Sequence, residues 1–189
     1  MKITKILLLC LFVVFAFSSC NKDEPRPNYF YKFKVNGVEK EFKASNDANI
    51  VFIEDPNSDN RFTLFTFVTG SDPNKNAVII SLRTTVAPEY GLKYEMQRTV
   101  FVNSQPTPVL TFIYLDENGK EYGATLLQSQ NPGAMDNGSL TLTGLTTEGS
   151  IGRFEAVVFD LNHTGELSQR TPLNLTDGEF FIPNFVSLR

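Results

Sequence analysis

From Tyr29 onward the chain is cut at short intervals by turn-forming residues, and this punctuation constrains the fold more than any other feature. Asn36-Gly37, Asn118-Gly119 and Asp177-Gly178, with the stretches 55–60, 70–76, 131–138 and 147–149, supply residues that tolerate positive φ or start tight turns. Short runs rich in β-branched and aromatic residues lie between them and read as strands. The expected strands are 29–35, 38–44, 49–54, 61–69, 77–84, 99–103, 109–115, 120–127, 139–145, 151–160 and 179–186. No long window carries a helical period, and 89–97 is the one stretch with room for a helical turn. The runs 62–68 and 109–115 are apolar on both faces, so they belong in the middle of a packed structure. The expectation is an all-β fold, a two-sheet antiparallel β-sandwich of about 10–12 strands, with a β-barrel as the alternative.

Two hairpins can be read at the level of residue pairs. Asn36-Gly37 suits a two-residue turn with both φ angles positive. That register sets Lys34 opposite Glu39 and Lys32 opposite Glu41 on one face, and Val35 opposite Val38 and Tyr31 opposite Phe42 on the other. Phe33 then faces Lys40, which must snorkel from a sheet edge. The second hairpin turns at Asp116-Glu117-Asn118-Gly119-Lys120. A two-residue turn there would oppose Asp116 and Glu121, so a type I turn with a bulge at Gly119, pairing Asp116 with Lys120, is preferred.

The segment ahead of this domain has a different character. Lys2 and Lys5 precede an uninterrupted apolar run from Ile6 to Phe17, then Ser18, Ser19 and Cys20. A run of about a dozen apolar residues is too short to span a bilayer and has the length of an export-signal core. The order apolar block, small pair, cysteine resembles a lipobox, which implies cleavage between Ser19 and Cys20 and a lipid on the Cys20 thiol. Residues 1–19 are thus expected to be a lipoprotein signal peptide, 20–28 a lipidated tether, and 29–189 a single β-sandwich domain. Lys22, Asp23 and Glu24 follow Cys20 directly and resemble a surface-export signal of Bacteroidetes lipoproteins. The expected location is therefore the bacterial outer membrane, lipid-anchored and surface-exposed, with a periplasm-facing orientation as the alternative.

The later motifs carry a family resemblance. Phe33-x-Val35-Asn36-Gly37 follows the tether, and the strand 138–143, Ile151-Gly152-Arg153-Phe154 and Thr176-Asp177-Gly178-Glu179-Phe180 follow in that order. Together they resemble small Bacteroidetes-type cell-envelope lipoproteins of an uncharacterised β-sandwich domain family. The resemblance implies a sandwich fold and an envelope location, and it implies no catalytic or ligand residues.

Charge and chemistry narrow the function further. The chain has formal net charge −4, and losing Lys2 and Lys5 with the signal takes it to about −6. An acidic domain is a poor electrostatic match for nucleic acid or for anionic lipid surfaces. The expected partners are the membrane, through lipidated Cys20 alone, and an unidentified envelope protein or glycan. Cys10 leaves with the signal and Cys20 is acylated, so the domain has no thiol for a disulfide, metal or nucleophile. The single histidine, His163, sits in a glycine-containing turn and reads as a solvated loop residue. Asp55, Asn57 and Asp59 offer oxygen ligands at alternate positions, as a calcium loop does. The loop has Asn60 and Thr66 where an EF-hand needs Gly and Glu, so it reads as a hairpin turn. Tyr90, Tyr94 and Tyr122 lie near turns or strand ends and are expected to be the exposed aromatics. No enzyme motif and no cofactor site is expected. The functional expectation is a lipid-anchored, non-enzymatic envelope module for binding or support. The alternatives are a carbohydrate-binding accessory for surface glycan uptake and an adhesin or fimbria-related subunit.

Overall fold

The computed structural model describes residues 27–54 and 61–185. Among the described residues there are fourteen strands, numbered in chain order, and one 3₁₀ turn at Leu167–Gln169. One sheet has the order β6 (Lys93–Glu95), β11 (Asn137–Leu145), β12 (Ser150–Asp160), β13 (Leu173–Ile182), β1 (Phe30–Val35) and β2 (Val38–Lys43). The other runs β14 (Asn184–Phe185), β3 (Asn49–Glu54), β4 (Arg61–Phe67), β5 (Ala77–Thr84), β9 (Leu110–Leu115) and β10 (Glu121–Ala124). β7 (Thr99–Val102) and β8 (Gln105–Pro108) form a separate hairpin. The last residues of β12 change sheets: Phe159 and Asp160 pair with Gly123 and Tyr122 of β10. A strand shared in this way makes a corner between two packed sheets. The ladder ends at β2 and β14, which do not pair with each other, so the barrel alternative is set aside and the sandwich stands.

Three expectations need correction. The stretch 89–97 holds strand β6, not a helical turn, with Lys93–Glu95 paired to Thr141–Ser139. A three-residue edge strand is too short to show a period. Asp177-Gly178 is not a turn between strands but a bulge inside β13, whose register jumps from Lys32↔Glu179 to Lys34↔Thr176. Asp177 has φ +52°, the left-handed conformation that serves a bulge as well as a turn. The two packed sheets hold twelve strands, as expected, and β7 and β8 form the further hairpin. The pairing is also not wholly antiparallel, since β14 runs parallel to β3.

Both hairpins adopt the expected registers. In the first, Tyr31↔Phe42, Phe33↔Lys40 and Val35↔Val38 pair across Asn36 (φ +48°) and Gly37 (φ +84°). The lysines, however, choose other partners. Lys32 pairs with Glu179 at 3.0 Å and Lys34 with Asp177 at 2.8 Å, both on β13, the other neighbour of β1. These carboxylates raise both lysine pKa values, through hydrogen bonds first. Lys40 does snorkel from the edge strand β2 and reaches Glu117 in the β9–β10 turn at 3.2 Å. In the second hairpin Gly119 N donates to Asp116 O, Asp116 N donates to Lys120 O, and Gly119 has φ +81°. Asp116 Oδ1 accepts from the backbone N–H groups of Asn118 and Lys120, which locks the bulged turn.

The core between the sheets is largely aromatic. Phe67 lies 4.8 Å from Phe180, 5.6 Å from Phe154 and 5.7 Å from Tyr31, ring centroid to centroid. Phe33 meets Tyr114 edge-on at 5.6 Å. The Tyr31 hydroxyl donates to the carbonyl of Asn76 at 2.7 Å. Burial, followed by the neighbouring Tyr114, pushes its pKa far above the ordinary tyrosine value. A raised folded-state value makes its contribution complete below the unfolded pKa of about 10 and lost progressively as pH rises above that. Wild-type protein is therefore expected to lose melting temperature steeply above about pH 10. Tyr31→Phe should start about 1 kcal/mol less stable at neutral pH and show a shallower alkaline decline. Parallel melting curves for the two proteins across that range would contradict the assignment.

Candidate functional site

The direction of the strands gives the domain two poles. β1 begins at Phe30, beside Phe181 of β13, and the same pole holds Ser150 at the start of β12. The opposite pole holds Asn36, the end of β12 at Asp160, and the start of β13 at Leu173. A recess of about 370 Å³ opens at this far pole, walled by Asn36, Lys120, Tyr122, Asp160, His163 and Gln169. That is the size of a site for one small ligand.

Each wall residue is held by the fold. Tyr122 comes from β10 and stacks on the buried Tyr114 at 6.1 Å. Lys120 Nζ lies 5.2 Å from the Tyr122 ring centroid and 2.7 Å from Asp160 Oδ2. Asp160 Oδ1 also accepts from Asn162 N at 2.9 Å, starting the loop that carries His163. The His163 ring nitrogen lies 3.2 Å from the carbonyl of Glu166, and its side chain is exposed, as the turn pattern implied. Asn36 Oδ1 accepts from Asn174 N at 2.9 Å, tying the first hairpin to β13.

A buried ion pair stands behind the recess. Arg170, which also lines it, is 8% exposed and Asp136 is fully buried. An Arg170 guanidinium nitrogen donates to Asp136 Oδ1, and the guanidinium lies 4.1 Å above the Phe159 ring. Asp136 Oδ2 accepts from the backbone N–H groups of Thr125 and Leu126. Its carbonyl accepts from the side-chain amides of Gln97 and Gln128. This network joins three otherwise irregular segments, and no buried side-chain polar atom among the described residues lacks a partner.

Electrostatics restricts what the recess can do. The hydrogen bond from Lys120, then that from Asn162 N–H, holds the Asp160 carboxyl below the usual range, and Lys120 is raised by the same contact. Asp160 is thus ionised and engaged at neutral pH, which suits hydrogen bonding to a ligand hydroxyl. A general acid for glycoside cleavage needs the opposite shift.

A larger recess of about 520 Å³ lies on the outer face of the first sheet, near Lys93, Glu95, Arg98, Asn137, Glu155 and Asn174. Its rim is made of long exposed side chains, whereas the polar recess is framed by a hydrogen-bonded loop. The far-pole recess is therefore the better-built candidate.

The sequence-derived site residues are distributed as follows. Tyr122 and His163 share the far-pole recess. Tyr90 is exposed as expected, but Tyr94 is buried at 8% exposure and its hydroxyl accepts from Glu89 N. The β6 strand turns it inward, which the helical reading of that stretch could not foresee. Ser19, Cys20, Lys22, Asp23 and Glu24, and the loop residues Asp55, Asn57 and Asp59, lie outside the described residues. Among the described residues no cluster of His, Cys, Asp and Glu is arranged to hold a metal. Asp136 and Arg170 had no signal in the sequence, because Asp136 sits in a stretch that reads as turn and its partner is 34 residues away. Phe101 is 67% exposed on the β7–β8 hairpin.

The architecture and recess define an all-β sandwich with a small polar pocket at one pole. No protein-family model matches the chain, and neither a curated protein nor a solved structure matches it.

Proposed function

We propose that this chain is a lipid-anchored cell-envelope lipoprotein of the Bacteroidetes type, and that its sandwich is a non-enzymatic binding module. The observation that carries the reading is the polarity of the domain. The chain enters at one pole through Phe30, and the framed recess opens at the other. A tether from Cys20 would hold the entry pole toward the bilayer and present the recess outward. The ionised, paired state of Asp160 favours binding over acid catalysis. Among the described residues no helix is long and apolar enough to cross a membrane.

The test is fractionation of cells grown with a radiolabelled fatty acid. The wild-type protein should take up label and float with membranes, and Cys20→Ser should lose both. Retention of label by Cys20→Ser would defeat the anchor. External protease should remove the wild-type protein from intact cells if Lys22, Asp23 and Glu24 direct it to the surface.

The size and lining of the recess favour one ligand class, a carbohydrate. An ion pair, two amide side chains and an imidazole around one tyrosine offer the donor and acceptor mix that hydroxyl groups need. Glycan-array binding that is lost in Gln169→Ala with an unchanged melting temperature would support this reading. No binding across the array would count against it.

A further inference from the structure

We infer that the outer face of the first sheet, at the entry pole, is a membrane-contact surface that rests on the phospholipid headgroups beside the anchor. The inference depends on the lipoprotein reading above and goes beyond it by assigning the domain an orientation.

The register divides this face into rows that run across the strands. Residues opposite one another share a face, and Tyr31, Phe180 and Phe154 point into the core, so their neighbours in sequence point out. The row at the entry pole is Lys43, Phe30, Phe181, Ile151 and Gly144, contiguous across β2, β1, β13, β12 and β11. Ile151 is 41% exposed, and Lys43, at the end of the row, is exposed as well. Tyr29 packs its ring on Phe181 at 5.1 Å. Tyr90 and Leu92 add to the same pole, because Gly91 N donates to Leu142 O where the chain enters β6.

The next row changes character. It carries Lys32, Lys93 and Arg153 against Glu41 and Glu179. The third row is acidic, with Glu39, Glu95, Glu155 and Asp177 around Lys34. Moving away from the chain's entry, the face is apolar and aromatic, then mixed with three cations to two acids, then acidic, and Glu148 in the β11–β12 turn is an acid at the apolar end.

Single exposed apolar residues need no explanation. A contiguous band at one pole, backed by cations, does. Apolar and aromatic side chains favour the boundary between acyl chains and headgroups, and cations favour the anionic headgroups beside it. Six residues separate Cys20 from Pro27, so even a fully extended tether reaches only about 25 Å. The band contains Phe30, close to Pro27, where the described chain begins.

The test uses the full lipidated protein in vesicles of phosphatidylethanolamine and phosphatidylglycerol. An environment-sensitive fluorophore is placed on Ile151→Cys, with Cys20 blocked by its own acyl chains. Val38→Cys at the far pole serves as control, since Val38 is 63% exposed. Lys43→Cys, exposed and in the same row, is a second probe of the band should Ile151→Cys fold poorly. The expected result is co-flotation, with the probe at 151 or 43 shielded from iodide and the probe at 38 fully quenched. Co-flotation with all probes equally quenched would overturn the contact surface and leave the anchor standing. No co-flotation would overturn both. Shielding at 151 that grows with protein concentration and without vesicles would show a second copy covering the band, and would overturn the proposal as well.

Discussion

Arg170→Met is expected to destabilise the domain by about 3–5 kcal/mol. Asp136 is fully buried, and its Oδ2 is committed to the backbone N–H groups of Thr125 and Leu126. Removing the guanidinium leaves this carboxylate buried without its counter-charge, and that cost dominates the lost contact itself. The methionine keeps much of the stem, so little of the effect should come from lost volume. The change also frees the carbonyl of Leu167, which accepts from Arg170 Nε, and the contact over Phe159. A urea titration followed by circular dichroism reads the shift in midpoint. The double change Asp136→Ala with Arg170→Met should cost much less than the two single changes added together, because no charge is then stranded. A shift worth less than about 1 kcal/mol for Arg170→Met would mean that water reaches the pair. Since Arg170 lines the recess, ligand binding should fall with the same variant.

Phe154→Ala should cost about 3–5 kcal/mol through the cavity it leaves. Its ring sits among Phe33 at 5.9 Å and Phe67 at 5.6 Å, at the place where β1, β4 and β12 face one another. Gly178 beside it explains why this spot is so close-packed. A Cβ at Gly178 would lie 2.8 Å from both Cδ atoms of Phe154 and would strike the Phe154 carbonyl oxygen. The ring can move, but the carbonyl belongs to the β12 backbone and cannot. Gly178→Ala is therefore expected to destabilise the protein on its own and to remain destabilising in a Phe154→Ala background. Full relief of the Gly178→Ala defect by Phe154→Ala would show that the ring, not the backbone, sets the approach of β12 and β13. Chemical denaturation of the two single variants and the double variant measures the coupling.

Local chemistry made much of the fold legible. The strand runs, the two-sheet class and both hairpin registers follow from turn residues and alternation, which act within a few positions of each other. Asn36-Gly37 sets the pairing of β1 with β2, and Asp116 with Gly119 sets the bulged turn, because positive φ and side-chain capping are properties of those residues themselves. A local signal with two structural uses does not by itself determine which is adopted. Asp177-Gly178 has turn chemistry, but β1 and β12 flank it and hold it as a bulge within a continuous strand. Lys32 and Lys34 lie opposite glutamates on β2, yet they pair with β13, a neighbour that arrives about 140 residues later in the chain.

The candidate site was less legible than the fold, and for the same reason. The sequence marked Tyr122 and His163 as residues of interest without any means of placing them together. It determined the elements, their local turns and the charge of the chain, since those depend on neighbouring residues. The tertiary structure alone decided that β12 would cross between sheets and bring Asp160 to Lys120 and Tyr122. It alone buried Arg170 against Asp136 and gathered Phe30, Phe181 and Ile151 into one apolar row. These juxtapositions depend on which strands pair across long stretches of chain, and that choice is made by burying a shared aromatic core rather than by any local preference.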